Sequence, residues 1–187
     1  MAYSEEIGQA IVAKAQTYIG QNEIQPNQGF VDPTFDALMR QHTPFENGDP
    51  WCACLAILTW SLVYMAYPKT YQWFRSLISA NSQQMGRNFH ADPTWKTNID
   101  TPVVGAMVIF GDVGSTVSGH TACCIVSVDP DGDHYTTIEG NTIPPGNPGN
   151  QAEGYTVAQH IHSVSAGIHS QTGLKLIRFV YPEASID

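Results

Sequence analysis

The sequence predicts an α+β domain, with N-terminal helices packed on a C-terminal antiparallel sheet of about five to six strands. Three observations lead there. Apolar residues recur at helical spacing from the start to about residue 87. From Pro102 onward the period drops to two and β-branched residues become frequent. The chain has 187 residues and shows no internal repeat or long linker, which suits one domain, 1–187, around one core.

The first element is an amphipathic helix within residues 1–20. Ile7, Ala10, Ile11, Ala15, Tyr18 and Ile19 share one side, and Ser4 is its N-cap. Glu5 and Glu6 near its start, and the lack of an unbroken apolar centre, speak against a secretory signal. A loop, IQPNQGFVDP, leads to a short second helix, PTFDALMRQH. The third helix fills residues 50–67, with Asp49 expected as its N-cap and Pro50 at its first position. At about 1.5 Å per residue its apolar run spans about 25 Å, short of a ~30 Å hydrocarbon core. Thr59 and Ser61 interrupt it, so it reads as a buried core helix without membrane insertion. TYQWFRSLISANSQQMG reads as one further helix.

Strands follow at residues 106–111, 120–128 and 134–141, the last two joined by the turn DPDGD, where Gly132 is free to take positive φ. After the loop TIPPGNPGNQAEG come two closing strands, YTVAQHIHSV and GLKLIRFVY.

Formal net charge is −9 with no basic run, a poor match for nucleic acid or an anionic membrane. The four cysteines form two tight pairs, Cys52 with Cys54 and Cys123 with Cys124. Neither spacing suits a disulfide framework or a zinc cage, so free thiols are expected, most of them buried.

The stretch DPWCACLAILTW sets Cys52 in the first turn of the third helix, where free N–H groups and the helix dipole favour a thiolate. Cys54 points to the other side, into packing. Taken alone, Cys52 is better explained as a core residue. A thiolate nucleophile needs a base, and the base needs an orienting acceptor. His120 opens a strand, and Glu139 and Asn141 lie near the end of the next. Pairing Val128 with His134 would set Glu139 opposite Cys123 and His120 opposite Thr142. A slip of two or three residues would set His120 across from Asn141 or Glu139. The bland alternatives are a half-exposed histidine, a glutamate at a turn, and an asparagine in the left-handed region.

These residues carry a family resemblance. GDPWCACLAILTW resembles the Gly-x-Pro-Trp-Cys-Ala-x-Phe motif of CHAP domains, the cysteine- and histidine-dependent amidohydrolases/peptidases. TPVVGAMVIFGD is similar to their Pro-x-x-Gly-Asp-hydrophobic strand, SGHTACCIVSV to Gly-His-x-x-hydrophobic, and YTTIEGNT to hydrophobic-Glu-Gly-Asn. LKLIRFVYP resembles their closing strand. The likeness runs from about Ile7 to Pro182. It implies a papain-like (CHAP/NlpC-P60) fold, with Cys52 as nucleophile, His120 as base, Glu139 as third residue and Asn141 as the accompanying asparagine. Two positions depart from the motifs: Leu55 replaces an aromatic, and Ala106 replaces the Asp after Gly105, which is expected to loosen a strand-end hydrogen bond.

The resemblance further implies a cysteine peptidoglycan hydrolase of phage-lysin type. It would be an N-acetylmuramoyl-L-alanine amidase or a stem-peptide or cross-bridge endopeptidase, with bacterial peptidoglycan as partner. No cofactor is expected, and TPFENGDPWC lacks the Asp-x-Asp spacing of a calcium loop, so no metal is expected either. Without a signal peptide, such a protein would be made in the cytoplasm and reach the wall through a holin, in a virion or by a dedicated export machine. Glu139→Gln is expected to cost less than losing His120. Two rival classes stand beside this reading. One is a catalytically idle copy of the fold, serving as a structural or binding module of a phage particle. The other is a zinc amidase using His120 with some of His90, His134, His160 and His162. The pair His160 and His162 also fits a half-exposed strand face.

Overall fold

The computed structural model describes residues 3–116, 118–147 and 154–183. The helices are α1 (Glu5–Gln16), α2 (Pro33–His42), α3 (Cys52–Tyr64), α4 (Pro68–Leu77) and α5 (Ser82–Ala91). The strands are β1 (Thr97–Asn98), β2 (Met107–Gly111), β3 (Gly119–Val128), β4 (His134–Thr142), β5 (Thr156–Ser163) and β6 (Lys175–Val180). The strands form one sheet in the order β1-β6-β2-β3-β4-β5, with every neighbour antiparallel. This is the α+β arrangement that the change of period predicts. Residues 148–153 of the expected Pro/Gly loop lie outside the described residues.

Each helix begins where local chemistry allows. Ser4 caps α1 by accepting from the Ile7 N–H, and Asp32 caps α2 by accepting from Thr34 and Phe35. The expected single helix over residues 70–86 is in fact two, α4 and α5. Ile78 is extended, the Ser79 hydroxyl accepts from the Asn81 N–H, and the Asn81 side chain then caps α5 by accepting from Gln84. Short polar side chains offer the backbone local partners here and so break the helix. The break turns the start of α5 toward Cys52.

The third helix starts later than the sequence suggests. Asp49 is not its cap: the Asp49 N–H bonds the Glu46 carbonyl in a turn through Gly48, which takes a positive φ of 97°. Trp51 is the cap residue, without a side-chain bond, and Cys52 is the first helical residue. Residues 52–61 of α3 are all buried, as befits a helix apolar on every side. It lies against the sheet, flanked by α1, α2 and α4. Its polar Thr59 is satisfied by the Leu55 carbonyl at 2.9 Å. No described helix is long and apolar enough to cross a membrane.

Two cores result. The larger lies between the helices and one sheet face, around Trp60, Phe74, Cys123 and Ile138. The smaller, on the other face, is built from Val108, Phe110, Ala122, Tyr135 and Phe179, with Val164 and Leu174 packed against it. Residues 164–174 fold on themselves through the bonds His169 N–H to Leu174 O and Gly173 N–H to His169 O, and close over this second face where Val164 and Leu174 pack on it and His169 reaches Glu139. Ala106 costs no strand-end bond. Gly105 N–H bonds Ile125 O at 2.7 Å, Ile125 N–H bonds Ala106 O at 2.8 Å, and the methyl group is buried in the second core.

Candidate active site

The nucleophile candidate is set by its neighbour. The Trp51 ring is fully buried, packs edge-on against Phe30 at 4.9 Å, and donates its indole N–H to Glu23 at 2.7 Å. That anchor fixes the entry to α3 and so the direction of Cys52. Cys52 is 5% exposed and lines a cavity of about 280 Å³ with Asp49, Pro50, Ala80, Asn81, Ser82 and Gly119. The starts of two helices, α3 and α5, thus meet at the sulfur. The Ser82 hydroxyl lies 3.8 Å from it and accepts from Thr121 Oγ1 at 2.7 Å, which leaves the Ser82 proton for the thiolate.

His120, the second residue of β3, bonds Glu139 Oε2 through Nε2 at 2.9 Å. Its ring also stands close enough to the Cys52 sulfur for charge and hydrogen bonding to act between them. The register explains the reach. Ala122 is opposite Glu139, so His120 is a diagonal neighbour on the adjacent strand. Val128 pairs with Tyr135 rather than His134, and two bulges in the β3–β4 ladder complete the displacement from the simple hairpin register. Sequence reasoning allowed this contact without choosing it.

The electrostatics follow from the contacts. Burial pushes the Cys52 thiol up. The His120 charge and hydrogen bond, the Thr121 backbone N–H and the Ser82 hydroxyl outweigh it, holding the thiol below its ordinary value. Burial pulls His120 down, but the Cys52 and Glu139 charges and bonds raise it. The favoured state is a thiolate beside an imidazolium. Cys54 behaves oppositely: burial pushes it up to about 12. Cys124, a free thiol, is also raised well above an ordinary value, by a hydrogen bond with Cys123 and by burial.

Glu139 is fully buried and accepts four hydrogen bonds. They come from Thr137 Oγ1 at 2.6 Å, His162 Nε2 at 2.7 Å, His120 Nε2 at 2.9 Å and His169 Nε2 at 2.9 Å. Burial would keep such a carboxyl neutral. The three histidine bonds reverse that and hold it ionised, well below the usual range. His169 escaped the sequence reading. It lies in SAGIHSQTG, between strands and outside any periodic pattern. His160 and His162 do share one face, but that face is buried, each histidine 2% exposed, because residues 164–174 cover it.

Asn141 is 4% exposed and sits in the left-handed region at φ 53°. Its side-chain oxygen has no hydrogen-bond partner among the described residues, and no hydrogen bond joins it to Cys52, His120 or Glu139. Gly140 between them is dictated by packing, since a β-carbon there would lie 2.5 Å from the Trp51 ring.

Among the described residues, one group could hold a metal by spacing alone: ligand atoms of His120, Glu139 and His169 lie within 4.8 Å of one another. Of the set expected of a zinc amidase it holds His120 alone: His90 faces Thr97, His134 bonds Asp131, His160 bonds Thr142, and His162 lies outside the group with its Nε2 on Glu139. In the loop before Cys52, the Asn47 side-chain oxygen is taken by Arg40 at 2.8 Å.

A family model described as CHAP domain matches residues 44–141, just over half of the chain and the part that holds Cys52, His120, Glu139 and Asn141. No curated protein and no solved structure matches. With a papain-like α+β fold, a cysteine at a helix start and a histidine and glutamate on adjacent strands, the chain belongs to the CHAP family of cysteine- and histidine-dependent amidohydrolases and peptidases.

Proposed function

We propose that the protein hydrolyses an amide bond of bacterial peptidoglycan, with Cys52 as nucleophile. The observation that carries this is the His120–Glu139 pair at 2.9 Å beside the Cys52 sulfur, which opens onto a cavity between the starts of α3 and α5. The Cys52 thiolate attacks the scissile carbonyl. The Cys52 backbone N–H, first in its helix and so without an intrahelical acceptor, faces the developing oxyanion. His120 carries the proton that the leaving amine needs and then takes one from the water that hydrolyses the thioester. Glu139 holds the ring and stabilises its charge. Asn141 stands beside this chain as a further candidate through its side-chain amide. Release through a holin, carriage in a virion or a dedicated exporter would bring the enzyme to the wall.

Purified peptidoglycan incubated with the protein, followed by mass analysis of the fragments, tests the proposal. New amino or carboxyl ends are expected with wild type and none with Cys52→Ala. Equal release by both proteins, or by neither across a range of peptidoglycan types, would overturn it.

A further inference from the structure

Glu139 is the hub of more bonds than a histidine orienter needs. Two of its partners, His162 and His169, lie beyond the segment that the family model matches. Their protonation is set by the backbone. His169 Nδ1 accepts the N–H groups of Gln171 at 3.3 Å and Thr172 at 3.1 Å. His162 Nδ1 accepts the Ser170 N–H at 3.4 Å. A nitrogen that accepts carries no proton, so each ring keeps its hydrogen on Nε2 and aims it at Glu139. The same argument decides against a metal among these atoms. A cation on His169 Nε2 would drive the proton to Nδ1, against two N–H donors.

We infer that His162 and His169 are positioning residues: two neutral histidines, locked in one tautomer by residues 170–172, which donate to Glu139 and keep it ionised for His120. The segment 164–174 is thus part of the active-site apparatus as well as a cover for the second core. Phe110 packs against both rings, at 5.2 Å from His162 and 4.9 Å from His169, and holds their planes. The titratable groups facing Glu139 are His120 with Cys52 behind it on α3, His160 and His162 from β5, Tyr135 from β4, and His169. Burial lowers His169, which keeps it neutral while His120 is charged.

Removing one donor makes the buried carboxylate easier to protonate. His120 then loses part of its counter-charge, and Cys52 loses part of its imidazolium. The effect appears at the acid side, where the thiolate forms.

The inference rests on Cys52 being the activated thiol, so the test scores the thiolate and needs no substrate. Iodoacetamide labelling is followed against pH, cysteine by cysteine, in wild type, His169→Ala and His169→Gln. The Cys52 midpoint should rise by about half a pH unit or more in His169→Ala. It should stay near wild type in His169→Gln, whose side-chain N–H can still donate. Equal midpoints in all three proteins, or equal shifts in both variants, would overturn the inference. Ring-nitrogen NMR of the wild-type protein reads the two tautomers directly and does not depend on a variant folding. Both histidines should be neutral and protonated on Nε2 near neutral pH, and a charged ring or an Nδ1 proton overturns the inference. If Cys52 of wild type labels no faster than Cys54, the nucleophile assignment fails, while the ring tautomers still report on Glu139.

Discussion

The Trp51 indole lies on the backbone of Gly140, so close that a β-carbon at 140 would stand 2.5 Å from one ring carbon and 2.9 Å from Leu55 Cδ2. One contact therefore links the residue before Cys52 to the residue after Glu139. It ties the helix start to the strand, and with them the two ends of the Cys52–His120–Glu139 chain. The glycine in YTTIEGNT and the tryptophan in DPWC are two halves of one packing requirement.

Gly140→Ala should accordingly cost about 1–3 kcal/mol of stability through overpacking. It should also slow Cys52 alkylation, because Trp51 cannot move without tilting the start of α3. Urea unfolding and labelling rates on the same samples check this. A variant as stable and as reactive as wild type would show that the ring has room.

Cys52 should label faster than Cys54, Cys123 and Cys124 in the native protein at neutral pH. The thiolate–imidazolium state should persist from the lowered Cys52 value up to the loss of the His120 proton, which lies at about 10. Ser82→Ala removes a donor 3.8 Å from the sulfur and should shift the acid limb of labelling upward without moving the alkaline limb. Mass spectrometry of each cysteine against pH reads both limbs. A Cys52 rate matching the three other thiols would return DPWCACLAILTW to an ordinary buried helix.

Much of this was legible in the sequence, and what was not has physical causes. The period-two pattern located all the longer strands, and the apolar run located α3, because both reflect burial. The helix break at residues 78–81 was missed, since it depends on Ser79 and Asn81 bonding locally rather than on hydropathy. The two-residue strand β1 is too short to show a period. Within the site, Cys52, His120 and Glu139 stood out as an ordered trio. His162 was legible only as one of a strand-face pair with His160, and His169 not at all, because their shell around Glu139 forms only when residues 164–174 fold back over the sheet.

That shell changes the expectation for Glu139→Gln. From sequence, glutamine is a mild replacement that can still accept from His120. In the structure all four partners are donors, so one face of the amide would set its NH₂ against an O–H or N–H. Activity should fall by about 10³-fold or more, approaching the ~10⁴-fold loss seen when a triad acid becomes an amide. Parallel assays of Glu139→Gln and Glu139→Ala measure it. A glutamine variant within tenfold of wild type would mean that the carboxylate charge is dispensable.

The buried histidines also set how stability depends on pH. Burial pulls His160 down to about 4, with Glu139 opposing it and the neighbouring rings adding to it. Burial likewise lowers His169. For a histidine with a depressed folded value, the unfolded chain binds the proton first. Its stabilising effect is complete above the unfolded value of ~6.5 and is lost as pH falls from there toward 4, by at most about 1.4 kcal/mol per pH unit per group. Glu139 has a depressed carboxyl value, so its contribution fades only below ~4.5. His120 has a raised value, so its contribution is complete below ~6.5 and disappears as pH rises through about 10. Glu183, raised by burial, gains on acidification near the carboxylate range and partly offsets the histidines there. Urea unfolding should therefore show a steady loss between pH 6.5 and pH 5, before most carboxylates titrate. His160→Gln removes one of the responsible groups while keeping a partner for Thr142, and should flatten that slope. An unchanged slope in His160→Gln would mean that His160 takes up its proton within the folded protein, and the neutral buried cluster would have to be redrawn.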